Sequence, residues 1–204
     1  MDFIGVFDYV GVAAFAVTGV LKGLKHRLDI FGLLVLAVFT ALGGGLIRDA
    51  LLGIAPPKAF MNHYYWWIII AAALLTFALN GRKFIKIDSF VLDAADAVGL
   101  AAFTFIGCKA AYLSDVCGAG VIFCGVLTAV GGGVIRDLLV LEVPSILHRS
   151  VYATAAFMGA AYFYAGVFFL PDIPVAAIAA GTFLIVFGVR MIAVLKNWHL
   201  PKCG

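Results

Sequence analysis

The sequence predicts an all-α membrane protein of seven transmembrane helices, arranged as two inverted three-helix repeats plus a seventh helix. An internal duplication, a composition suited to lipid and a lopsided placement of basic residues predict it. The segment Gly-Gly-Gly-Leu-Ile-Arg-Asp at residues 43–49 returns as Gly-Gly-Gly-Val-Ile-Arg-Asp at 131–137. An offset of 88 (131 − 43) also lays Asp8 on Asp96, Gly11 on Gly99, Phe15 on Phe103, Gly19 on Gly107, Thr40 on Thr128, Pro56 on Pro144 and Tyr64 on Tyr152. Without a gap, about 20 of roughly 57 aligned positions are identical, and self-similarity of this kind decides architecture before local propensity does.

Of the 204 residues, 65% are hydrophobic and 12% charged, and the mean hydropathy is +1.13. A soluble domain cannot show that balance to water, and the ~10-residue alternating segments of a membrane β-barrel do not appear. Crossing ~30 Å of hydrocarbon takes about 20 residues. Windows of that kind lie near residues 3–21, 30–53, 64–80, 90–113, 118–141, 150–170 and 175–195. The first follows Met1-Asp2-Phe3, which lacks the basic stretch of a cleavable leader, so this helix is expected to stay. It stops at the basic stretch 22–29. Later stops fall at Pro56-Pro57, at residues 80–88, at Ser114-Asp115, at Glu142-Val143-Pro144 and at Pro171-Asp172-Ile173-Pro174, where proline, asparagine or charge ends a membrane helix. Residues 1–204 therefore read as a single transmembrane domain, with repeat one at about 3–80, repeat two at about 90–170 and the seventh helix at about 175–195.

Basic residues set the orientation. One side of the membrane holds Lys22, Lys25, Arg27, Arg82, Lys83, Lys86, Arg149, Arg190, Lys196 and Lys202, and the other only Lys58 and Lys109. That bias puts the amino terminus outside and the carboxyl terminus in the cytoplasm. Three spans per repeat is an odd number, so the second copy enters from the opposite side. The run His63-Tyr64-Tyr65-Trp66-Trp67 and Trp198 are expected as interfacial anchors.

The triple glycines carry the most chemistry. Each glycine costs a helix interior about 1 kcal/mol against alanine, so Gly43, Gly44 and Gly45, and again Gly131, Gly132 and Gly133, need a compensating reason. One reading is close backbone packing. The other is a kink or unwound turn that leaves carbonyls such as those of Thr40 and Thr128 facing a water-filled path, where they suit a weakly hydrated monovalent cation. The two can coexist, and the sequence favours the break. A phosphate cradle is not expected, because the Lys-Ser/Thr of a P-loop is missing.

Ionisable residues inside membrane spans are costly and usually functional. Arg48 and Asp49 are neighbours, so on a helix each is expected to need a partner elsewhere. At 1.5 Å per residue Arg48 lies ~27 Å along its outward-running helix, and Asp8 ~8 Å along the inward-running first helix, so they share a level near the outer boundary. Inversion repeats the set with Asp96, Arg136 and Asp137 near the cytoplasmic boundary, with Asp93 on the face of Asp96. Arginines snorkelling to head groups are the bland alternative. Lys109, towards the outer end of the fourth helix, either snorkels or places a movable charge beside the path.

Cys108, Cys117, Cys124 and Cys203 have no metal spacing and read as small apolar residues; His26, His63, His148 and His199 lie near predicted helix ends and make no zinc-type pair. No metal site beyond a transient permeant ion, no cofactor and no nucleic-acid partner are expected. No nucleophile–base pair suggests an enzyme.

The duplicated Gly-Gly-Gly-x-Ile-Arg-Asp in the second and fifth helices, with the inverted repeats and the seventh helix, resembles the prokaryotic branch of the trimeric intracellular cation (TRIC) channels over nearly the whole chain. The resemblance implies a homotrimer in a cell membrane with a separate path through each subunit for monovalent cations, chiefly potassium. It places the family's kinked-helix motifs on Gly43, Gly44, Gly45, Arg48 and Asp49, and on Gly131, Gly132, Gly133, Arg136 and Asp137. Related bacterial sequences also carry the label of glycine transporters, and inverted repeats with broken helices are transporter architecture too. Charges at both ends of the path and none near its middle favour the channel.

Overall fold

The computed structural model describes residues 3–80, 89–148 and 151–198, and every regular element within them is a helix. These are α1 (Phe3–Lys25), α2 (Ile30–Leu51), α3 (Lys58–Met61), α4 (His63–Asn80), α5 (Ser89–Tyr112), α6 (Gly118–Leu139), α7 (Ser145–His148), α8 (Ala153–Phe169) and α9 (Val175–Leu195). Five of them, α1, α2, α5, α6 and α9, are long and apolar enough to cross a membrane, while α4 and α8 offer shorter apolar stretches. Arg82, Lys83, Lys86, Arg149, His199, Lys202 and Cys203 lie outside the described residues, as does the side chain of His148.

Helix ends follow local chemistry. Asp29 caps α2 by accepting the Gly32 N–H at 2.7 Å. Beyond α2 and α6 the chain turns through positive φ at the matched positions Gly53 (66°) and Leu141 (57°). The next N–H closes each turn, from Ile54 to the Asp49 carbonyl at 2.8 Å and from Glu142 to the Asp137 carbonyl at 2.9 Å. Three elements differ from the sequence expectation. Helix α1 runs on to Lys25 rather than stopping near 21, because Lys22 finds anionic partners within the protein. The four-residue helices α3 and α7 precede α4 and α8, where the sequence showed only stops.

Helix α5 is the hub, packed against α1, α6, α8 and α9, while α2 lies on α1, α4 and α6. The two copies meet reciprocally. A Cβ on Gly11 would touch the Phe103 ring and one on Gly99 would strike Phe15; a Cβ on Gly44 would strike the Thr128 carbonyl and one on Gly132 that of Thr40. In each pair residue numbers rise along one helix as they fall along the other. So α1 against α5, and α2 against α6, are antiparallel contacts about a local two-fold, each surface meeting its own counterpart. Phe15 and Phe103 pack edge to face across it, with ring centroids 5.1 Å apart. The outside is apolar: Leu51, Trp67, Leu75 and Leu184 are exposed, a surface that lipid accepts and water penalises. The chain is an integral membrane protein.

Candidate functional site

The triple glycines mark the crossing of α2 and α6. Both helices run uninterrupted through Gly43, Gly44 and Gly45 and through Gly131, Gly132 and Gly133, which corrects the expectation of an unwound turn. Close approach is the physical reason for the glycines. No side chain fits at Gly44 or Gly132, because the Thr128 and Thr40 carbonyls occupy the space, and a Cβ on Gly131 would lie 3.0 Å from the Gly44 Cα. Packing offsets what the glycines cost the helices. The Thr40 and Thr128 carbonyls thus face the opposite helix, and their hydroxyls donate one turn back, to the carbonyls of Leu36 (2.5 Å) and Cys124 (2.6 Å). Gly43 meets the Ile135 side chain. The third glycine of each set lies beside an arginine: the atom nearest a Cβ on Gly45 is Arg48 Nη2 at 3.6 Å, while one on Gly133 would meet the Tyr152 hydroxyl at 2.9 Å before Arg136 Nη2 at 3.7 Å.

At one end of the crossing, Arg48 and Asp49 are 4% and 1% exposed. Arg48 donates from Nε (2.9 Å) and Nη2 (2.7 Å) to Asp49 Oδ1. Sequence neighbours were expected to need separate partners; their Cβ atoms do diverge on the helix, but the long arginine stem curls back to the short aspartate. Asp49 Oδ2 then accepts the Lys58 N–H at 2.9 Å, capping α3. Asp8 stands in the same cavity, yet its hydrogen bond comes from the Tyr65 hydroxyl and not from Arg48. This corrects the expected Asp8–Arg48 pair: the shared level holds, but Tyr65 reaches the carboxylate. Tyr65 itself, expected as an interfacial anchor, is buried at 8% exposure. The cavity, of about 30 Å³, is bordered by Asp8, Gly45, Arg48, Tyr65, Phe103 and Thr128, with space for about one water-sized species.

At the other end the same motif is locked harder. Arg136, 2% exposed, donates from Nη1 to Asp96 Oδ1 at 2.7 Å and to the Thr18 hydroxyl at 3.2 Å, and from Nε to Asp137 Oδ1 at 3.1 Å. Here the pair that depth and inversion predict forms directly. Asp137 Oδ2 accepts the Ser145 N–H at 2.9 Å and so caps α7. Lys22 Nζ lies 3.5 Å from Asp137 Oδ1 and 2.5 Å from Glu142 Oε2, and His26 Nε2 lies 2.7 Å from Glu142 Oε1. A chain of ions thereby runs from a buried guanidinium to a surface imidazole. The hydrogen bond from Lys22, helped by that from His26, holds the Glu142 carboxyl below its ordinary range. Tyr152 fills the centre of the cluster, with its buried hydroxyl beside the Asp96 carboxylate.

Matched partners expose a slip between the copies. Lys58 corresponds to Ser145 and Tyr65 to Tyr152, an offset of 87 (145 − 58, 152 − 65) rather than 88. The first copy has one extra residue between Ile54 and Pro57, so the ungapped pairings of Pro56 with Pro144 and Tyr64 with Tyr152 shift to Pro57 and Tyr65. Tyr65, Thr18 and Lys22 went unrecognised in the sequence; allowing a gap in the linker would have singled out Tyr65. Asp93 lies 3.5 Å from Arg190. Lys109 is half-buried and does not line the outer cavity. Among the described residues no group of three or more His, Cys, Asp or Glu could hold a metal ion.

Helices that cross antiparallel about a local two-fold, each ending in a buried arginine–aspartate clasp, define a membrane protein built by internal duplication. A family model described as "Glycine transporter" matches residues 5–81 and 93–168. Its two matches span 77 (81 − 5 + 1) and 76 (168 − 93 + 1) residues, in keeping with the extra residue of the first copy. The UPF0126 inner membrane protein YadS of Escherichia coli K12 is 36% identical over 95% of this chain and 91% of its own length. A UPF0126 membrane protein of Deinococcus radiodurans is 42% identical over 75% and 71%. The TRIC trimeric intracellular cation channel orthologue from Rhodobacter sphaeroides superposes with a TM-score of 0.90 at 32% identity, covering 97% of this chain and all of that one. A second TRIC cation channel structure gives 0.87 at 38% identity over 98% and 97%. The chain belongs to the prokaryotic TRIC channel family.

Proposed function

We propose that this protein is a passive channel for monovalent cations, chiefly potassium, and that it works as a homotrimer with one path through each protomer. In this reading α1, α2, α4, α5, α6, α8 and α9 are seven crossings of a prokaryotic cell membrane. Residues 3–80 and 90–170 form the inverted repeats, the amino terminus lies outside and the carboxyl terminus in the cytoplasm. The observation that carries the reading is the small cavity beside Asp8 and Arg48, which reaches Thr128 and Gly45 and ends against the α2–α6 crossing. The matched cluster of Asp96, Arg136 and Asp137 waits on the far side. The path is pinched where Gly44 and Gly132 meet the opposing carbonyls, and opening bends or slides α2 against α6 at these weak points in the helices.

Carboxylate and carbonyl oxygens favour a weakly hydrated cation. The arginines are neutralised by their own aspartates, so they repel it less. Lys109 is assigned the bland role of reaching the outer interface, with a movable gating charge as the sharper one. The TRIC neighbours support the channel; the description of the matching family model favours a second reading, a secondary transporter of a small amino acid such as glycine. Purified protein in planar bilayers under asymmetric potassium separates them. Single-channel steps with a cation-selective reversal potential support the channel, saturable gradient-coupled uptake without steps supports the carrier, and a strongly anion-selective current rejects the pore chemistry.

A further inference from the structure

The chain of ions that starts at Arg136 ends on a group that titrates. Helix α1 closes in a turn with Arg27 at a φ of 57° and the Leu28 N–H on the Gly23 carbonyl at 3.0 Å. Helix α6 closes in the same form, with Leu141 at positive φ and the Glu142 N–H on the Asp137 carbonyl. Each backbone is fixed by its own turn, and side chains join the two. The Glu142 carboxylate spans the gap, taking Lys22 on Oε2 at 2.5 Å and His26 on Oε1 at 2.7 Å. At the other end of the molecule the offset of 88 (142 − 54, 110 − 22, 114 − 26) puts Ile54, Ala110 and Ser114 in these three places. The titrating device belongs to one end.

The charges gathered around this imidazole come from three directions. Helix α1 and its turn supply Lys22, Lys25, Arg27 and Asp29, helix α6 and its turn supply Arg136, Asp137 and Glu142, and α5 supplies Asp96. Among these described residues four cations stand against four anions, so the set is balanced while His26 is neutral and carries +1 once it is protonated. We propose that His26 sets the charge of the inner mouth, so that a proton on its imidazole opposes the entry of monovalent cations. This inference rests on the channel reading. Histidine is the side chain that changes charge between about pH 5 and 8, and His26 is exposed, so solvent protons reach it. Glu142, whose carboxyl is held below its ordinary range, stays anionic through that interval. One unit charge ~10 Å from a passing cation in water changes the local cation concentration about 2-fold, and salt screens that effect over ~10 Å at 0.1 M.

Single-channel conductance of the whole protein in planar bilayers, with the same pH on both sides so that insertion sense does not matter, tests the assignment. In about 0.1 M KCl the wild-type step should shrink about 2-fold between about pH 7.5 and pH 5.5. His26→Gln, which keeps a hydrogen-bond donor for Glu142 but cannot titrate, should hold one step size across the interval. His26→Lys should give the small step at both values. In about 1 M KCl, where screening acts within ~3 Å, the difference should vanish. A pH effect that persists in His26→Gln belongs to another group and overturns the inference, as does one undiminished by 1 M salt, since a screened charge cannot produce it. Steps of equal size at both pH values in the wild type overturn the inference alone. Absence of single-channel steps at either pH overturns the channel reading and the inference with it.

Discussion

The Arg48 and Arg136 clusters are built from the same seven-residue motif and share two devices: arginine clasps the aspartate that follows it, and that aspartate's second oxygen caps the next short helix. They part at the third partner. Arg136 is bonded to Asp96 and Thr18, and the cluster extends through Lys22 and Glu142 to His26. Around Arg48 the matched aspartate, Asp8, is taken by Tyr65, and a small cavity remains. Position 18 shows why one end is fuller: Thr18 supplies a hydroxyl to Arg136, while its counterpart at 106 is isoleucine. Identical motifs thus fix the clasp and the cap, and the surrounding residues decide whether the end is locked or leaves space.

The largest effect should separate the two ends. Arg136→Ala strands Asp96 in the interior and should cost about 3–5 kcal/mol, with Asp96→Asn in the same chain recovering part of it. Arg48→Ala should cost less, because Asp8 takes its hydrogen bond from Tyr65 and not from Arg48, and Asp8→Asn should bring no comparable recovery. Thermal unfolding in detergent reads all four variants; strict additivity at the inner end would sink the direct pair. Next come the crossing glycines. Gly44→Ala and Gly132→Ala each drive a methyl into a facing carbonyl, and overpacking of about 1–3 kcal/mol should exceed the helix-propensity gain of about 1 kcal/mol. The two losses should match, and clearly unequal values would break the local two-fold. Gly45→Ala, with only Arg48 nearby, should be tolerated.

A smaller effect sharpens the comparison of tyrosines. Tyr65→Phe removes the Asp8 hydrogen bond and should cost about 1 kcal/mol, whereas Tyr152→Phe should cost less, because the Asp96 beside its hydroxyl keeps Arg136. The smallest effect is at the surface. Glu142 has a lowered carboxyl pKa, so the stability it contributes is present above the ordinary value of 4.5 and is lost as pH falls through the lowered value. The gap in melting temperature between wild type and Glu142→Gln should therefore hold steady near neutrality and close on strong acidification; a gap that widens in acid would contradict the ionic role.

Long apolar windows were legible because each carries enough residues to declare a span, and most observed ends fall within three residues of the expected ones. The short helices α3 and α7 were not, since four residues hold no periodicity. The Asp96–Arg136 contact followed from depth along antiparallel helices. Depth also put Asp8 level with Arg48, but level is not contact, and a residue from a third helix took the bond. Lys22 was counted as a flanking charge because a tally of basic residues treats every helix end as wet. Propensity left the glycines open between a break and a close approach, since both require a residue without a side chain. The carbonyl in the way of the missing Cβ is what reveals the close approach.

The reciprocal crossing has the form of a homodimer interface made within one chain. Because Thr128 is the counterpart of Thr40 and Gly132 of Gly44, the surface that the first copy buries is complementary to itself, threonine carbonyl against glycine and glycine against threonine carbonyl. Two identical halves, inserted in opposite senses, would satisfy the same contacts with Gly44 of one against Thr40 of the other. A single chain needs no such identity, and an extra linker residue, an isoleucine opposite Thr18 and a chain of ions on one side distinguish halves that still meet as equals at their centre.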